Sequence, residues 1–119
     1  FIYYDDTEHS LRLSKYGKII CLPDASICHD VVENLENNVT WKTYYGERNR
    51  LMMIKKHYGF RYFIFEYYRG MLKVLKKIIM GKKIDAMLLN KSIQDARKNI
   101  QGIDNIYKPG WSNNVYDNK

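Results

Sequence analysis

The stretch FIYYDDTEHSLR, residues 1–12, organises the chain, because an apolar, aromatic run ends there in two adjacent carboxylates, Asp5 and Asp6. Glu8 and Arg12 follow within the next six residues. Asp side chains can cap free backbone N–H groups, and their charge is favourable at the positive end of a helix dipole. The stretch therefore predicts the start of a helix. A second interpretation is that one carboxylate is a general base at the mouth of an active site.

The composition is that of one modest globular domain. The chain has 119 residues, of which 45% are hydrophobic and 28% charged, and it contains eleven Tyr. Amphipathic rings in this number suit an interface between apolar and aqueous surroundings. Two Cys residues imply no disulfide framework and are typical of a reduced, intracellular protein. The chain begins at Phe1 without a signal-like segment, so we expect it to be cut from a longer protein.

Charge is distributed unevenly along the chain, although the net charge is +7. Residues 1–40 carry seven acidic and three basic side chains, whereas residues 41–83 carry two acidic and twelve basic ones. Residues 84–119 carry four acidic and five basic side chains. An acidic head is thus joined to a strongly basic middle. This asymmetry indicates an anionic partner, either nucleic acid or a membrane surface.

The first forty residues are predicted as a compact unit of one helix and two strands. A helix is expected over residues 5–16, and Gly17 is suited to end it. Two short strands are expected at residues 18–22 and 25–29, separated by a Pro-Asp break. An Asn-rich loop is expected over residues 30–40.

The remainder is predicted as three helices and a tail. Helices are expected over residues 41–58, residues 60–79 and from 84 to about 100, each bounded by a glycine signal. The fragment should therefore be mostly α with two short β-strands. The predicted organisation is an acceptor-side acidic head, a basic amphipathic helical region and a loose tail (residues 1–40, 41–102 and 103–119).

The predicted helix over residues 60–79 has an apolar stripe and a basic side. The stripe, spaced by four, three and four residues, consists of Tyr68, Leu72, Leu75 and Ile79. The basic side consists of Arg69, Lys73, Lys76 and Lys77. Either the stripe is core and the cations are solvated, or the helix lies in a membrane interface with these cations on an anionic surface. No apolar run in the sequence is long enough to span a bilayer.

Reactive side chains are few. The sequence contains no Gly-rich phosphate loop, CxxC, HExxH or Ser nucleophile elbow. The candidates for chemistry are Asp5, Asp6, Glu8, His9 and His29. A carboxylate beside a second carboxylate can serve as a base for a hydroxyl proton. A neutral imidazole at His29 can bind a metal, with a packed, hydrogen-bonded histidine as the alternative.

These residues resemble a known family. The runs FIYYDDTEHSLRL (1–13) and YGKIICLPDASICH (16–29) resemble the C-terminal half of the catalytic domain of family-2 glycosyltransferases, in the bacterial rhamnosyl- and galactofuranosyltransferase-like branch. RNR (48–50) ahead of KKHY (55–58) is similar as well, and so is the basic helical tail that ends in residues 95–102. The resemblance covers most of the chain before its tail.

The resemblance implies a role for each matching residue. Asp6 takes the place of the base that deprotonates the acceptor hydroxyl. Asp5 and Glu8 bind acceptor or support the loop, and His29 is a ligand of a divalent metal, Mg or Mn. The family has a GT-A, Rossmann-like α/β fold and inverts the anomeric carbon of a nucleotide-diphosphate sugar. Its nucleotide-binding strands and Asp-x-Asp motif lie upstream of the acidic corner, so we expect no transfer by this chain alone.

We therefore expect the C-terminal portion of an inverting glycosyltransferase that builds bacterial surface polysaccharide, cytoplasmic and peripheral on the inner membrane face. Its expected partners are a nucleotide-diphosphate sugar, a glycan or lipid-linked acceptor and an anionic membrane. Self-association through exposed apolar surface is a further expectation. The alternative is a non-enzymatic basic helical module that binds anionic membrane or nucleic acid. That alternative leaves the acidic head unexplained, and nucleic acid is the less favoured partner.

Overall fold

Four helices make up the regular structure in a computed structural model that describes residues 3–28 and 39–113. They are α1 (Asp5–Leu13), α2 (Trp41–His57), α3 (Phe60–Ile79) and α4 (Lys83–Lys98). The predicted mostly helical class is confirmed, and the bounds of α2, α3 and α4 lie within two residues of those expected. Helix α1 is shorter than expected, because residues 14–16 form a turn rather than continuing the helix.

Local sequence sets the helix ends. The backbone N–H of Thr40 donates to Thr43 Oγ1 at 3.4 Å where α2 begins. Gly59 and Gly81 separate the three long helices with φ angles of 86° and 74°, a region that glycine adopts without strain. Asn99, at φ 61°, ends α4 in the left-handed conformation that Asn tolerates.

Helices α2, α3 and α4 pack around a common apolar core. Its buried residues are Leu51, Phe63, Val74, Ala86, Leu89, Ile93 and Ala96. Gly70 allows α3 to approach α4 closely, since a Cβ at this position would lie 2.8 Å from Ile93 Cδ1. A second cluster joins α2 and α4 to the segment after α4 through Tyr44, Tyr45, Leu88 and Tyr107.

Residues 103–113 pack against the helices, so the prediction of a loose tail is wrong for this segment. Tyr107 is buried in the second cluster, with its ring centroid 5.1 Å from that of Tyr44. The backbone N–H of Asp104 donates to Tyr45 Oη at 3.0 Å, and Trp41 N–H donates to the Trp111 carbonyl at 3.0 Å. The Gly, Pro and Asn residues here are typical of loops, but a loop with buried aromatic side chains can be well packed.

The two predicted strands are not present in the part of the chain that the structure describes, and on this point the prediction is wrong. Residues 18–22 and 25–28 are exposed and form no ladder; Ile27 is 94% exposed. A strand needs a neighbour to pair with its backbone groups, and an apolar run alone does not supply one. Accordingly, the structure does not show a GT-A Rossmann-like sheet. The Asn-rich loop expected over residues 30–40 falls mostly outside the described residues.

Candidate functional site

Asp5 and Asp6 form the first turn of α1, and both side chains are exposed. The predicted helix start is confirmed, although the residue that precedes the helix is Tyr4 and no side chain caps it. Carboxylates at this end of a helix are favoured by its dipole. Within residues 3–28 and 39–113, no hydrogen bond or ion pair engages either carboxylate. Within this part of the chain both carboxylates are therefore accessible to solvent.

The backbone leading into this acidic corner is strained. Tyr3 and Tyr4 have φ angles of 63° and 62°, a conformation that costs about 1–2 kcal/mol for each such residue. Strain of this kind persists where the surroundings fix it, and it concentrates at functional sites. The Tyr3 ring lies on α2, with its Cδ2 atom 3.6 Å from the position of a Cβ at Gly46.

Glu8 connects α1 to the C-terminal end of α2. Lys56 Nζ donates to Glu8 Oε1, and His57 Nε2 lies 3.2 Å from the same oxygen. Arg12 Nε is 3.9 Å from Glu8 Oε2. The hydrogen bonds from Lys56 and His57 lower the pKa of Glu8 to about 2. Its carboxylate is thus committed to these cations, which favours the supporting role over acceptor binding; the role itself stays a prediction.

Lys56 and His57 lie at the acidic corner through their contacts with Glu8, and the sequence pattern alone indicates no role for either residue. A signal for them was present in the opposite charges of the head and the middle of the chain. Cations in the last turn of a helix also interact favourably with its dipole. Long-range complementarity between the two regions, rather than an anionic external partner, accounts for part of the charge asymmetry.

His29, the predicted metal ligand, lies outside the described residues. Across residues 3–28 and 39–113, His, Cys, Asp and Glu side chains form no group of three or more that could hold a metal ion. The imidazole of His9 is instead paired with Arg12, whose Nη2 lies 2.8 Å from Nδ1. The residues described here do not by themselves make up a divalent-metal site, and the expected Mg or Mn stays a prediction.

Three of the four cations predicted to contact a membrane are engaged in ion pairs. The pairs are Arg69–Glu66 at 2.6 Å, Lys73–Glu47 at 3.1 Å and Lys77–Asp85 at 2.9 Å. Lys76 forms no ion pair within the described part of the chain. The two pairs that Lys73 and Lys77 form link α3 to α2 and α4. These cations therefore stabilise the helical packing in addition to any external role.

The predicted apolar stripe of α3 faces solvent, so the interpretation of this stripe as core is wrong for this chain. Its residues, Tyr68, Leu72, Leu75 and Ile79, are 52–78% exposed. The core side of α3 carries Phe63, Gly70 and Val74 instead. Beside the N-terminal half of the stripe is a shallow groove lined by Arg61, Ile64, Phe65, Tyr68, Arg69 and Leu72. We call the stripe, Ile64 and Phe65 the outer face of α3.

The RNR block has a structural role. Arg48 is only 5% exposed; its guanidinium lies 4.8 Å from the Tyr45 ring centroid, and Nη1 donates to the Gly102 carbonyl at 2.9 Å. Arg50 bridges Glu47 and Glu66, with its nitrogens 3.0 and 2.6 Å from their carboxylates. These contacts hold the segment after α4 and helix α3 against α2.

A buried polar network stabilises the opposite side of α2. Lys91 Nζ lies 2.7 Å from both Asp95 and Asp104. Burial alone would lower the pKa of Lys91, but its hydrogen bonds to Asp104 and Asp95 raise it above the usual value. Burial and the hydrogen bond to Asp95 both raise the pKa of Tyr44. The network is structural and lies apart from the acidic corner.

Comparison with known proteins relates the chain to glycosyltransferases. Galactofuranosyltransferase GlfT2 of Mycobacterium tuberculosis is 30% identical over 98 residues, which is 80% of this chain and 15% of that protein. The protein of the same name from Mycolicibacterium smegmatis is 34% identical over 59 residues, 49% of this chain and 9% of that protein. This chain contains a glycosyltransferase-like region.

The extent of the similarity limits what it establishes. The chain spans at most 15% of the length of these two curated relatives. No family model matches the chain. No solved structure matches it significantly either. The similarity supports the general enzyme class, and the details of activity belong to the proposal that follows.

Proposed function

We propose that the chain is the acceptor-side part of an inverting family-2 glycosyltransferase with a GT-A catalytic domain. The observation that carries the proposal is the similarity to galactofuranosyltransferases over 98 residues. The exposed carboxylates of Asp5 and Asp6 at the start of a helix support it. The reaction transfers a sugar from a nucleotide-diphosphate donor to a hydroxyl of a glycan or lipid-linked acceptor during synthesis of a bacterial surface polysaccharide.

In this proposal Asp6 acts as the general base. Its carboxylate takes the proton of the acceptor hydroxyl while that oxygen forms a bond to the anomeric carbon of the donor. The bond from this carbon to the diphosphate breaks on the opposite side, so the configuration inverts and the nucleoside diphosphate leaves with the bonding electrons. Asp5 borders the acceptor. The first turn of a helix is a rigid place from which to present a base.

The donor site belongs to residues beyond the described part of the chain. The proposal includes a divalent metal, Mg or Mn, with His29 as one ligand, and a nucleotide-binding half that supplies the remaining contacts. It places the enzyme in the cytoplasm at the inner face of the membrane.

The test is transfer from a panel of nucleotide-diphosphate sugars by the complete protein that contains this sequence. Formation of a glycosidic product with inverted anomeric configuration is expected, with measurable transfer from at least one sugar of the panel. The 119-residue chain alone should release no nucleoside diphosphate. Retention of configuration would contradict the mechanism, and an absence of transfer with every donor would remove the proposal.

A second proposal concerns the outer face of α3, which we propose contacts an anionic membrane surface. Its apolar side chains are exposed, and Arg61 and Lys76 lie along it without an ion pair among the described residues. The acidic residue of α3, Glu66, is held by Arg50 and Arg69. An apolar face beside unpaired cations suits binding in the plane of an interface. In the part of the chain described, no helix is long and apolar enough to cross a membrane.

Vesicle flotation tests the membrane contact. The chain should bind vesicles of phosphatidylcholine and phosphatidylglycerol at about 3:1 and bind phosphatidylcholine alone at least several-fold less. Leu72→Asp with Leu75→Asp should abolish binding, whereas Ile103→Asp, a change at an exposed isoleucine elsewhere, should not. Equal binding to both kinds of vesicle would contradict the contact with anionic membrane. A dimer that Leu72→Asp with Leu75→Asp disrupts and Ile103→Asp does not would instead assign the face to self-association. A salt-dependent shift of DNA would favour the basic-module alternative.

A further inference from the structure

We propose that Lys56 and His57 are positioning residues for the acidic corner, and that through Glu8 they fix the direction in which Asp6 presents its carboxylate. The inference rests on the proposed function, because a fixed direction matters only if Asp6 is the base. It concerns residues to which neither the sequence pattern nor the similarity to transferases gives a part in the reaction.

Helix α1 depends on few contacts for its placement. None of its residues is buried, and none belongs to either apolar cluster. Its side-chain hydrogen bonds to the rest of the described structure run through Glu8. The Tyr3 ring on Gly46 adds a contact just before the helix. Among the described residues, Leu11 of α1 is only half-buried, so we infer that the Glu8 carboxylate and its two partners largely determine the orientation of the helix.

The two partners hold Glu8 in complementary ways. The His57 side chain is only 4% exposed, so its ring is fixed within the helical body and defines where the carboxylate sits. The Lys56 side chain is 62% exposed and supplies a positive charge at the same oxygen. Because one oxygen of the Glu8 carboxylate accepts hydrogen bonds from two neighbouring residues of α2, the carboxylate has little freedom to rotate.

Helical geometry carries this constraint from Glu8 to Asp6. Residues two apart on a helix point roughly 160° away from each other, whereas residues three apart share a side. When Glu8 faces α2, Asp6 is therefore turned to the open side of the corner and Asp5 lies nearer to α2. Both carboxylates stay exposed, but they point in different directions, and the clamp fixes the direction of the one that we assign as the base, Asp6.

A charge exchange tests the clamp in the complete protein. Glu8→Lys places a cation against Lys56, and Lys56→Glu places two carboxylates together, so each should lower kcat about tenfold or more through misplacement of the base. The KM for the nucleotide sugar should stay within about twofold, since the donor is held elsewhere. The double variant restores an opposite pair and should recover most of kcat. Lys98→Glu, at an exposed lysine in the last turn of α4, is the matched control and should change neither constant.

Hydrogen exchange measures the clamp without reference to activity. In each single variant the amides of α1 should exchange faster while those of α3 and α4 are unchanged, and the double variant should reverse the effect. Unchanged α1 exchange in both single variants would overturn the clamp. Faster α1 exchange with unaltered kcat would overturn positioning while leaving Asp6 as base. If Asp6→Asn transfers sugar normally, the proposed function fails, and the exchange data still decide whether the clamp exists.

Discussion

The Tyr44 hydroxyl donates a 2.6 Å hydrogen bond to Asp95 Oδ2, joining α2 to α4 across 51 residues of sequence. Both side chains are buried. Lys91, four residues before Asp95 in α4, forms an ion pair with the Asp95 carboxylate. The bond places the start of α2 on α4. The C-terminal end of α2 carries Lys56 and His57, which contact Glu8 at the acidic corner. The position of that corner therefore depends on the network around Tyr44 at the other end of α2.

Replacing Tyr44 with Phe should lower the free energy of unfolding by about 1–2 kcal/mol, because a buried carboxylate loses a donor without a change of shape. Urea unfolding followed by circular dichroism measures the change. Tyr62→Phe, at an exposed tyrosine of α3, is the matched control and should be neutral. Equal midpoints for the two variants would contradict a stabilising role for this hydrogen bond.

The contact between Gly70 and Ile93 predicts a compensating pair of substitutions. Gly70→Ala would place a Cβ 2.8 Å from Ile93 Cδ1. After the gain in helix propensity is counted, we expect the free energy of unfolding to fall by about 1 kcal/mol. Ile93→Val removes that methyl group, so the double variant should be more stable than the sum of the single changes by about 1 kcal/mol. Gly17→Ala has open space around it and is the control. If the two changes in the free energy of unfolding simply add, α3 and α4 can move apart to accommodate the added Cβ, and the close contact between Gly70 and Ile93 would not be a constraint.

The carboxylate of Glu8 should make the attachment of α1 sensitive to acid. Hydrogen bonds from Lys56 and His57 lower its pKa from 4.5 to about 2. A lowered folded-state pKa stabilises the folded state above the unfolded value, and that contribution is lost as pH falls through the folded value. The attachment should thus be complete above about pH 4.5 and weaken down to about pH 2.

Nuclear magnetic resonance of the Glu8 carboxyl carbon measures this titration directly. Its midpoint should lie near 2 in the unaltered chain and rise toward 4.5 in Lys56→Met. Lys98→Met should leave the midpoint where it is, since Lys98 lies in the last turn of α4 and not beside Glu8. A midpoint near 4.5 in the unaltered chain would mean that the clamp is not formed in solution.

Much of the helical fold follows from the sequence, because its signals are local. Glycines at 59 and 81 separate helices whose apolar spacing is clear. The choice of core face on α3 does not follow, since this helix is apolar on two sides and packing against α2 and α4 selects the side with Phe63, Gly70 and Val74. The prediction of strands within residues 18–28 is wrong because a strand must pair with a neighbour that can be distant in sequence, and the local pattern does not show whether one is present.

The acidic corner could be located from the sequence, but its partners could not. Asp5 and Asp6 stand in a stretch with a clear helix-start pattern. Glu8 meets Lys56 and His57 across nearly fifty residues, and no periodicity within either helix indicates that contact. Opposite charge in two regions predicts attraction between them without identifying the atoms involved.

The central claim is that Asp6 is the base of a glycosyl transfer, and the most direct test is kcat of the complete protein carrying Asp6→Asn. Asp24→Asn, at an exposed carboxylate in the turn of residues 23–24, serves as the control. We expect Asp6→Asn to lose at least about a hundredfold in kcat with donor affinity unchanged, and Asp24→Asn to behave like the unaltered protein. Transfer by Asp6→Asn at the unaltered rate would contradict the claim.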